Sequence, residues 1–199
     1  MIRIDLRLLF AGLAFIFWIS SCGNRAENQS KLKTFDLAGL VDSQVNFLSS
    51  NKYQIKKTSL LGASEESTQY VPDSAGWARE LNVIRTADIS KPGLRAYYKI
   101  VTYDSLEFTI DHYTLTDSGN SNTIYQKIYH GKASGQILKV QALQNVNNPI
   151  YDSRRYIEII FDEKKDEDKL ILDSIIVVGF QKMILSDTTF YRSIGKILP

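Results

Sequence analysis

The hydrophobic pattern of the chain changes its period near residue 94, and this change limits the possible folds more than any other feature. Before it, apolar residues recur every three or four positions, and after it they alternate with polar residues. A period of 3.6 is typical of amphipathic helices, and a period of 2 is typical of half-buried strands. We therefore expect helices in the first part of the folded region and an antiparallel sheet in the rest.

Two helices are predicted, over residues 34–50 and 73–87. Thr34 or Asp36 can cap the first helix and Asp73 the second, since short polar side chains accept hydrogen bonds from free backbone N–H groups. A hairpin of two strands, residues 53–61 and 67–71, is predicted between them. The apolar faces of the helices comprise Leu37, Leu40, Val41, Val45 and Leu48 in the first, and Trp77, Leu81, Ile84 and Ala87 in the second.

Seven strands are predicted after residue 94: 96–103, 106–115, 123–129, 135–144, 155–161, 170–185 and 190–198. In one of them Leu106, Phe108 and Ile110 share a side, and in another Ile157 and Ile159 alternate with polar neighbours. One-sided patterns of this kind belong to antiparallel sheets with one face on a core. The chain is thus predicted to be an α+β domain of two helices and a mostly antiparallel β-meander, forming a curved sheet or half-barrel.

The first residues have the features of a secretory signal. Arg3 and Arg7 are followed by a run of uncharged, apolar residues from 8 to 19. A basic start and an apolar run of this length are typical of signal peptides, and a membrane span needs roughly 20 apolar residues. We therefore predict a signal peptide over residues 1–21.

The segment Ile19-Ser20-Ser21-Cys22 resembles the lipobox of bacterial lipoproteins. The alternative is an ordinary signal, or an N-terminal anchor helix, with an incidental cysteine. The resemblance implies that Cys22 carries lipid, including acyl chains such as palmitate, and becomes the first residue after cleavage. Cys22 is the only cysteine, so no intrachain disulfide can form. Residues 22–33 are then a lipidated polar tether, and residues 34–199 a single α+β domain.

Two further resemblances refine the expected location. The signal ending, together with the stretch from Trp77 to Pro92, is similar to envelope lipoproteins of the Bacteroidota that have no assigned activity. The order of elements resembles the half-barrel of the periplasmic lipoprotein carrier and its outer-membrane acceptor, which implies an apolar cavity for acyl chains. By analogy, Gly23 after Cys22 favours the outer membrane, with the domain facing the periplasm.

The chain lacks the usual marks of an enzyme or a metal protein. His112 and His130 are the only histidines, and no cluster of acids or cysteines accompanies them in sequence. The dense charge run of residues 162–169 has no glycine at a sharp turn, so a solvated turn is favoured over a calcium loop. We expect no cofactor and no metal, and the sequence favours a non-enzymatic role over catalysis.

The charge balance and the tyrosines indicate which partners to consider. Without the signal the chain has 22 basic and 21 acidic side chains, so its net charge is close to zero. Such a chain has no strong positive potential that would attract nucleic acid. Tyrosine and lysine share a strand side in Tyr97-Lys99 and Tyr125-Lys127-Tyr129, with Tyr156 on a third strand. The alternative is that the two helices cover the tyrosine side, or that the tyrosines only occupy a strand-rich surface. We consider two functions. One is binding of an apolar ligand or envelope component between helices and sheet, and the other is a structural subunit that docks an envelope protein through the tyrosine side.

Overall fold

The computed structural model describes residues 34–162 and 170–199. Residues 34–199 form one compact unit. Its elements are, in chain order, α1 (Leu37–Ser50), β1 (Gln54–Leu61), β2 (Ser64–Tyr70), α2 (Ser74–Arg85), α3 (Pro92–Arg95), β3 (Tyr98–Asp104), β4 (Phe108–Leu115), β5 (Thr123–Gly131), β6 (Ile137–Asn148), β7 (Tyr151–Asp162), β8 (Ile171–Met183) and β9 (Thr189–Leu198). No helix among these is long and apolar enough to cross a membrane.

The nine strands of the described residues belong to one antiparallel sheet in the order β2-β1-β9-β8-β7-β6-β5-β4-β3. The strands β3 to β9 follow one another as a meander, and the β1–β2 hairpin joins the sheet because β1 pairs with β9. The sheet is not closed, since β2 and β3 remain as its edges. The predicted α+β class with an antiparallel meander is therefore confirmed.

The two long helices begin where the sequence predicts. The Asp36 carboxylate accepts a hydrogen bond from Gly39 N at 2.8 Å, and the Asp73 carboxylate accepts one from Gly76 N at 2.6 Å. Each aspartate satisfies a backbone donor that has no partner inside the helix. Of the two candidates for capping α1, the structure assigns the N-cap to Asp36.

Three local predictions differ from the structure. Residues 145–149 are predicted as a connection, but β6 continues to Asn148 and β7 starts at Tyr151. The polar residues at the end of β6 pair with β7, so strand pairing overrides their weak strand propensity. A one-turn helix, α3, lies between the predicted helix that ends at residue 87 and the predicted strand that starts at residue 96, where no element is predicted. The strand β2 begins at Ser64 rather than at residue 67.

The core lies between the helices and one side of the sheet. Leu37, Leu48, Trp77 and Leu81 from the helices are fully buried, and they form one cluster with strand residues such as Ile157. Tyr156 and Glu158 flank Ile157 and therefore point away from the helices, because successive strand side chains alternate. We call the side of the sheet that carries Ile157 the helix-facing side, and the side that carries Tyr156 the open face.

The apolar side predicted for β4 does not face the helices. Phe108 and Ile110 pair with residues of the open face, whereas Tyr113 is 2% exposed within the core. Leu106, predicted with them, is 98% exposed in the β3–β4 turn. The strand has large apolar residues on both sides, so its period identifies a strand but not which of its sides is covered.

Gln44 joins α1 to the start of β8. Its amide nitrogen donates to Leu170 O at 2.7 Å, and its amide oxygen accepts from Leu172 N at 2.9 Å. Leu172 is 1% exposed, so its N–H has no access to solvent when Gln44 is removed. We expect Gln44→Ala to lower the free energy of unfolding by roughly 2–4 kcal/mol, because two backbone groups lose their partners. Chemical denaturation measures the free energy of unfolding, and Asn46→Ala, at an exposed position of α1, is the control. Equal losses of stability in both variants would contradict a role of Gln44 in joining α1 to β8.

Candidate functional site

A pocket of about 330 Å³ opens between α2 and the helix-facing side of β1, β7, β8 and β9. Its floor is apolar and consists of Ile55, Ile175, Val177 and Gly195. Gly195 shapes this floor, since it lies between Lys57 of β1 and Ile175 of β8. A Cβ at Gly195 would lie 3.0 Å from the Ile55 Cδ1 atom, so this position accepts no larger residue without a shift of its neighbour.

The wall contributed by α2 carries charge. The Glu80 carboxylate accepts a hydrogen bond from Lys57 Nζ at 2.8 Å and another from the Tyr70 hydroxyl at 2.8 Å. Burial raises the pKa of Tyr70, and the hydrogen bond to Glu80 raises it further, so the phenol remains the donor. Val83 and exposed Arg79, also on α2, complete this wall.

Arg155 enters the pocket from β7 and is held by Tyr191 of β9. The Arg155 Nε donates to the Tyr191 hydroxyl at 3.1 Å, across β8. The residue between them in the sheet register is Gly179. A Cβ at Gly179 would lie 2.4 Å from Arg154 O and 2.7 Å from the Tyr191 hydroxyl. The absence of a side chain at Gly179 therefore lets the tyrosine lie across the strand and reach the guanidinium.

The charged groups of the pocket leave an excess of positive charge. Among the described residues, the lining contains the cations Lys57, Arg79 and Arg155 and one carboxylate, that of Glu80. Arg155 also lines a smaller polar pocket of about 180 Å³ with Gln144 and Ser153. An apolar floor beneath cations suits a small amphipathic anion, whose apolar part covers the floor while its charge meets the guanidinium.

The two histidines lie on opposite sides of the sheet and do not form a common site. His130 lies on the helix-facing side, where its Nε2 is 3.3 Å from Asp111 Oδ2, and the Thr102 hydroxyl donates to Asp111 Oδ1 at 2.6 Å. Neither His112 nor His130 lines the pocket of Arg155. Within residues 34–162 and 170–199, no group of three or more His, Cys, Asp or Glu is placed to hold a metal ion.

His112 belongs to an aromatic row on the open face. Its ring centroid is 6.4 Å from that of Tyr103 and 5.8 Å from that of Tyr125, both in edge-on geometry. Burial lowers the pKa of His112, and the nearby Lys127 ammonium lowers it further. The neutral imidazole therefore packs as an aromatic ring between two tyrosines.

The predicted tyrosine side is largely assembled in the structure. The Tyr129 hydroxyl donates to Gln141 at 2.6 Å, Gln141 donates to Glu158 at 2.6 Å, and the Tyr156 hydroxyl donates to the same Glu158 oxygen at 2.7 Å. Burial, and then the hydrogen bond to Glu158, raise the pKa of Tyr156. Tyr125 and Lys127 lie on this face as predicted, but Tyr97 precedes β3 and packs against the core instead.

The sequence predicts a ligand site between helices and sheet but does not identify the charged residues that line the pocket, although one signal for them is present. Arg154 and Arg155 are adjacent in a strand, so one of them must point to the helix-facing side. A charge on that side needs a partner or a ligand. The predicted lipidation site Cys22, its tether and most of the charge run, residues 163–169, lie outside the described residues.

Comparisons of the chain with protein-family models, with curated proteins and with solved structures find no match.

Proposed function

We propose that this chain is a lipid-anchored protein of the bacterial cell envelope whose domain binds a small amphipathic anion without catalysis. The observation that supports it best is the pocket under α2, in which Arg155 and two further cations stand over an apolar floor. The volume of about 330 Å³ is at the lower end of the range for small-molecule sites. The ligand class is therefore a short acyl chain with a carboxylate or phosphate head.

The anchor is proposed from the lipobox around Cys22. Two or more acyl chains on this residue would hold the protein at a membrane, because one chain alone gives only reversible binding. The polar tether of residues 22–33 would give the domain a reach of at most about 40 Å from the lipid. We place the lipid in the outer membrane and the domain in the periplasm, where amphipathic anions are components of the envelope.

The geometry of Arg155 supports an anion as the proposed ligand. Its Nε is occupied by the Tyr191 hydroxyl, which fixes the guanidinium, and its terminal nitrogens keep donors for a carboxylate. Glu80 already bonds to Lys57 and Tyr70, so it balances only part of the positive charge. Hydrogen bonds to a charged group contribute about 1.5–3 kcal/mol, which exceeds the contribution of a neutral contact.

Decanoate is a suitable probe, with uncharged decanol and the decyltrimethylammonium cation as comparators. We expect saturable binding of decanoate, weaker binding of decanol and none of the cation, measured by isothermal titration calorimetry. Arg155→Gln should weaken decanoate binding by about 10- to 100-fold, because a charge-assisted hydrogen bond is lost. Arg154→Gln is the matched control, since Arg154 is the neighbouring arginine on the open face, and its affinity should stay within about twofold.

Two results would contradict the proposal. Absence of saturable decanoate binding to the folded protein would exclude short acyl chains with an anionic head as ligands. Equal losses in Arg154→Gln and Arg155→Gln would show that the overall charge of the protein, and not the pocket, attracts the anion. Chemical-shift changes confined to Ile55, Val83 and Ile175 on titration would place the chain of the ligand on the floor.

A second candidate is a structural subunit that binds an acidic envelope protein through the open face. No helix of the described residues covers that face, and its strands carry eight basic against five acidic side chains. The basic residues are Lys56, Lys99, Lys127, Lys139, Arg154, Lys182, Arg192 and Lys196, and the acidic ones Glu65, Asp152, Glu158, Asp162 and Asp173. Recovery of a stoichiometric partner from detergent-solubilised membranes, lost in Lys127→Glu but retained in Arg155→Gln, would favour this candidate.

A further inference from the structure

One end of the sheet carries an unusual concentration of exposed apolar side chains. The β8–β9 turn presents Met183, Ile184 and Leu185, which are 60%, 59% and 101% exposed. The adjacent β6–β7 turn presents Ile150, which is 63% exposed, and the two turns are joined by a hydrogen bond from Ile184 N to Ile150 O at 2.9 Å. The two hairpin tips therefore form one apolar surface.

This surface continues onto the open face at the same end. Phe190 is 64% exposed, and its ring centroid lies 6.2 Å from that of its cross-strand partner Phe180. We call the group of Ile150, Phe180, Met183, Ile184, Leu185 and Phe190 the apolar corner. Soluble proteins rarely expose contiguous apolar patches larger than a few hundred Å², and larger patches mark sites of contact with proteins or membranes.

Leu185 holds an unfavourable backbone conformation in this position. Its φ is +64°, in the left-handed region that glycine or asparagine normally occupies. A branched side chain there costs about 1–2 kcal/mol. Packing within the described residues does not compensate this cost, because the side chain is fully exposed.

Basic residues stand beside the apolar corner. Arg154 pairs in register with Phe180, and Lys182 precedes the turn. Arg192 lies two residue pairs beyond the Phe180–Phe190 pair in the β8–β9 ladder. The acidic residues here are Asp152, which pairs with Lys182, and Asp187 in the turn. Apolar tips flanked by arginine and lysine are the pattern of proteins that lie on anionic lipid, where the side chains enter the acyl boundary and the cations contact headgroups.

We infer that the apolar corner inserts into the surface of a membrane that contains anionic lipid, as a contact separate from any lipid on Cys22. Met183, Ile184 and Leu185 enter the lipid, and Arg154 and Arg192 bind the headgroups. This inference does not rest on the pocket, which lies on the opposite side of the sheet.

Vesicle binding tests the inference with the chain from residue 22 that carries Cys22→Ser and therefore no lipid. We expect co-sedimentation with vesicles of phosphatidylethanolamine and phosphatidylglycerol, and weaker binding to phosphatidylcholine vesicles. The double variant I184S/L185S should reduce vesicle binding about tenfold or more, because the transfer of two apolar side chains from water into lipid is lost. Leu106→Ser is the matched control, since Leu106 is equally exposed at the opposite end of the sheet, and it should bind as before.

Two further variants separate the inference from its alternatives. Leu185→Gly should raise the melting temperature, since glycine accepts the positive φ, and should still weaken vesicle binding. Arg154→Gln should weaken binding to anionic vesicles, whereas Arg155→Gln should not, so failure here is distinct from failure of the ligand proposal.

Equal binding of I184S/L185S and the parent overturns the inference. A dimer in sedimentation analysis, broken by I184S/L185S without any vesicle binding, would assign the corner to a second copy.

Discussion

Replacement of Trp77 by alanine is expected to lower the free energy of unfolding by about 3–5 kcal/mol, because a large buried ring leaves a cavity. Trp77 is fully buried on α2 and belongs to the cluster that joins both long helices to the sheet. It is also the only tryptophan in residues 34–199. Its fluorescence therefore reports unfolding of the parent protein, and circular dichroism follows the variant that lacks it.

The control for this experiment is Asn82→Ala, an exposed position on the same helix. We expect its stability to remain within about 0.5 kcal/mol of the parent. A Trp77→Ala protein as stable as Asn82→Ala would mean that α2 does not pack on the sheet as described. The pocket would then lose its wall, and the ligand proposal would fail with it.

Replacement of Cys22 by serine is expected to change the location of the protein and not its fold. In the proposal the covalent anchor is the lipid on Cys22, whereas the described core residues lie between Leu37 and Ile197, so the domain carries its own core. We expect the parent to require detergent for release from membranes. The Cys22→Ser protein, made with an ordinary cleavable signal, should be released by high salt alone, since the remaining contact is weak and partly electrostatic.

Fractionation of cells and thermal unfolding of the purified protein measure these two properties. The melting temperatures of the parent and of Cys22→Ser should agree within experimental error. A misfolded Cys22→Ser protein would contradict the picture of an independent domain on a polar tether. Equal detergent requirement of both proteins would contradict lipidation of Cys22.

The sequence predicts the elements well where a local signal suffices. Asp36 and Asp73 mark the helix starts because capping depends on the next three residues only. The faces of α1 and α2 follow from the spacing of Leu37, Val41 and Val45, and of Trp77, Leu81 and Ile84. The polar residues at the end of β6 predict a loop, because the strand conformation there depends on pairing with β7 and not on these residues themselves.

The candidate site was not predictable in the same way. Lys57, Glu80 and Arg155 come from three elements that are distant in the chain, and their meeting depends on the position of β1 beside β9. Even in a single strand, the pattern of Phe108 and Ile110 does not tell which side the helices cover. Within β5 the tyrosine side is predictable, because Tyr125, Lys127 and Tyr129 alternate along one strand.

The register of β7 decides which surface Arg154 and Arg155 each reach. The two neighbours point to opposite sides of the sheet, one to the apolar corner and one to the pocket. Insertion or loss of one residue upstream in β7 would exchange them, since side chains alternate with a period of two. We therefore expect that length changes in this protein are tolerated in turns and at the sheet edges β2 and β3, but not between Tyr151 and Ile157, where one added residue would disturb both surfaces at once.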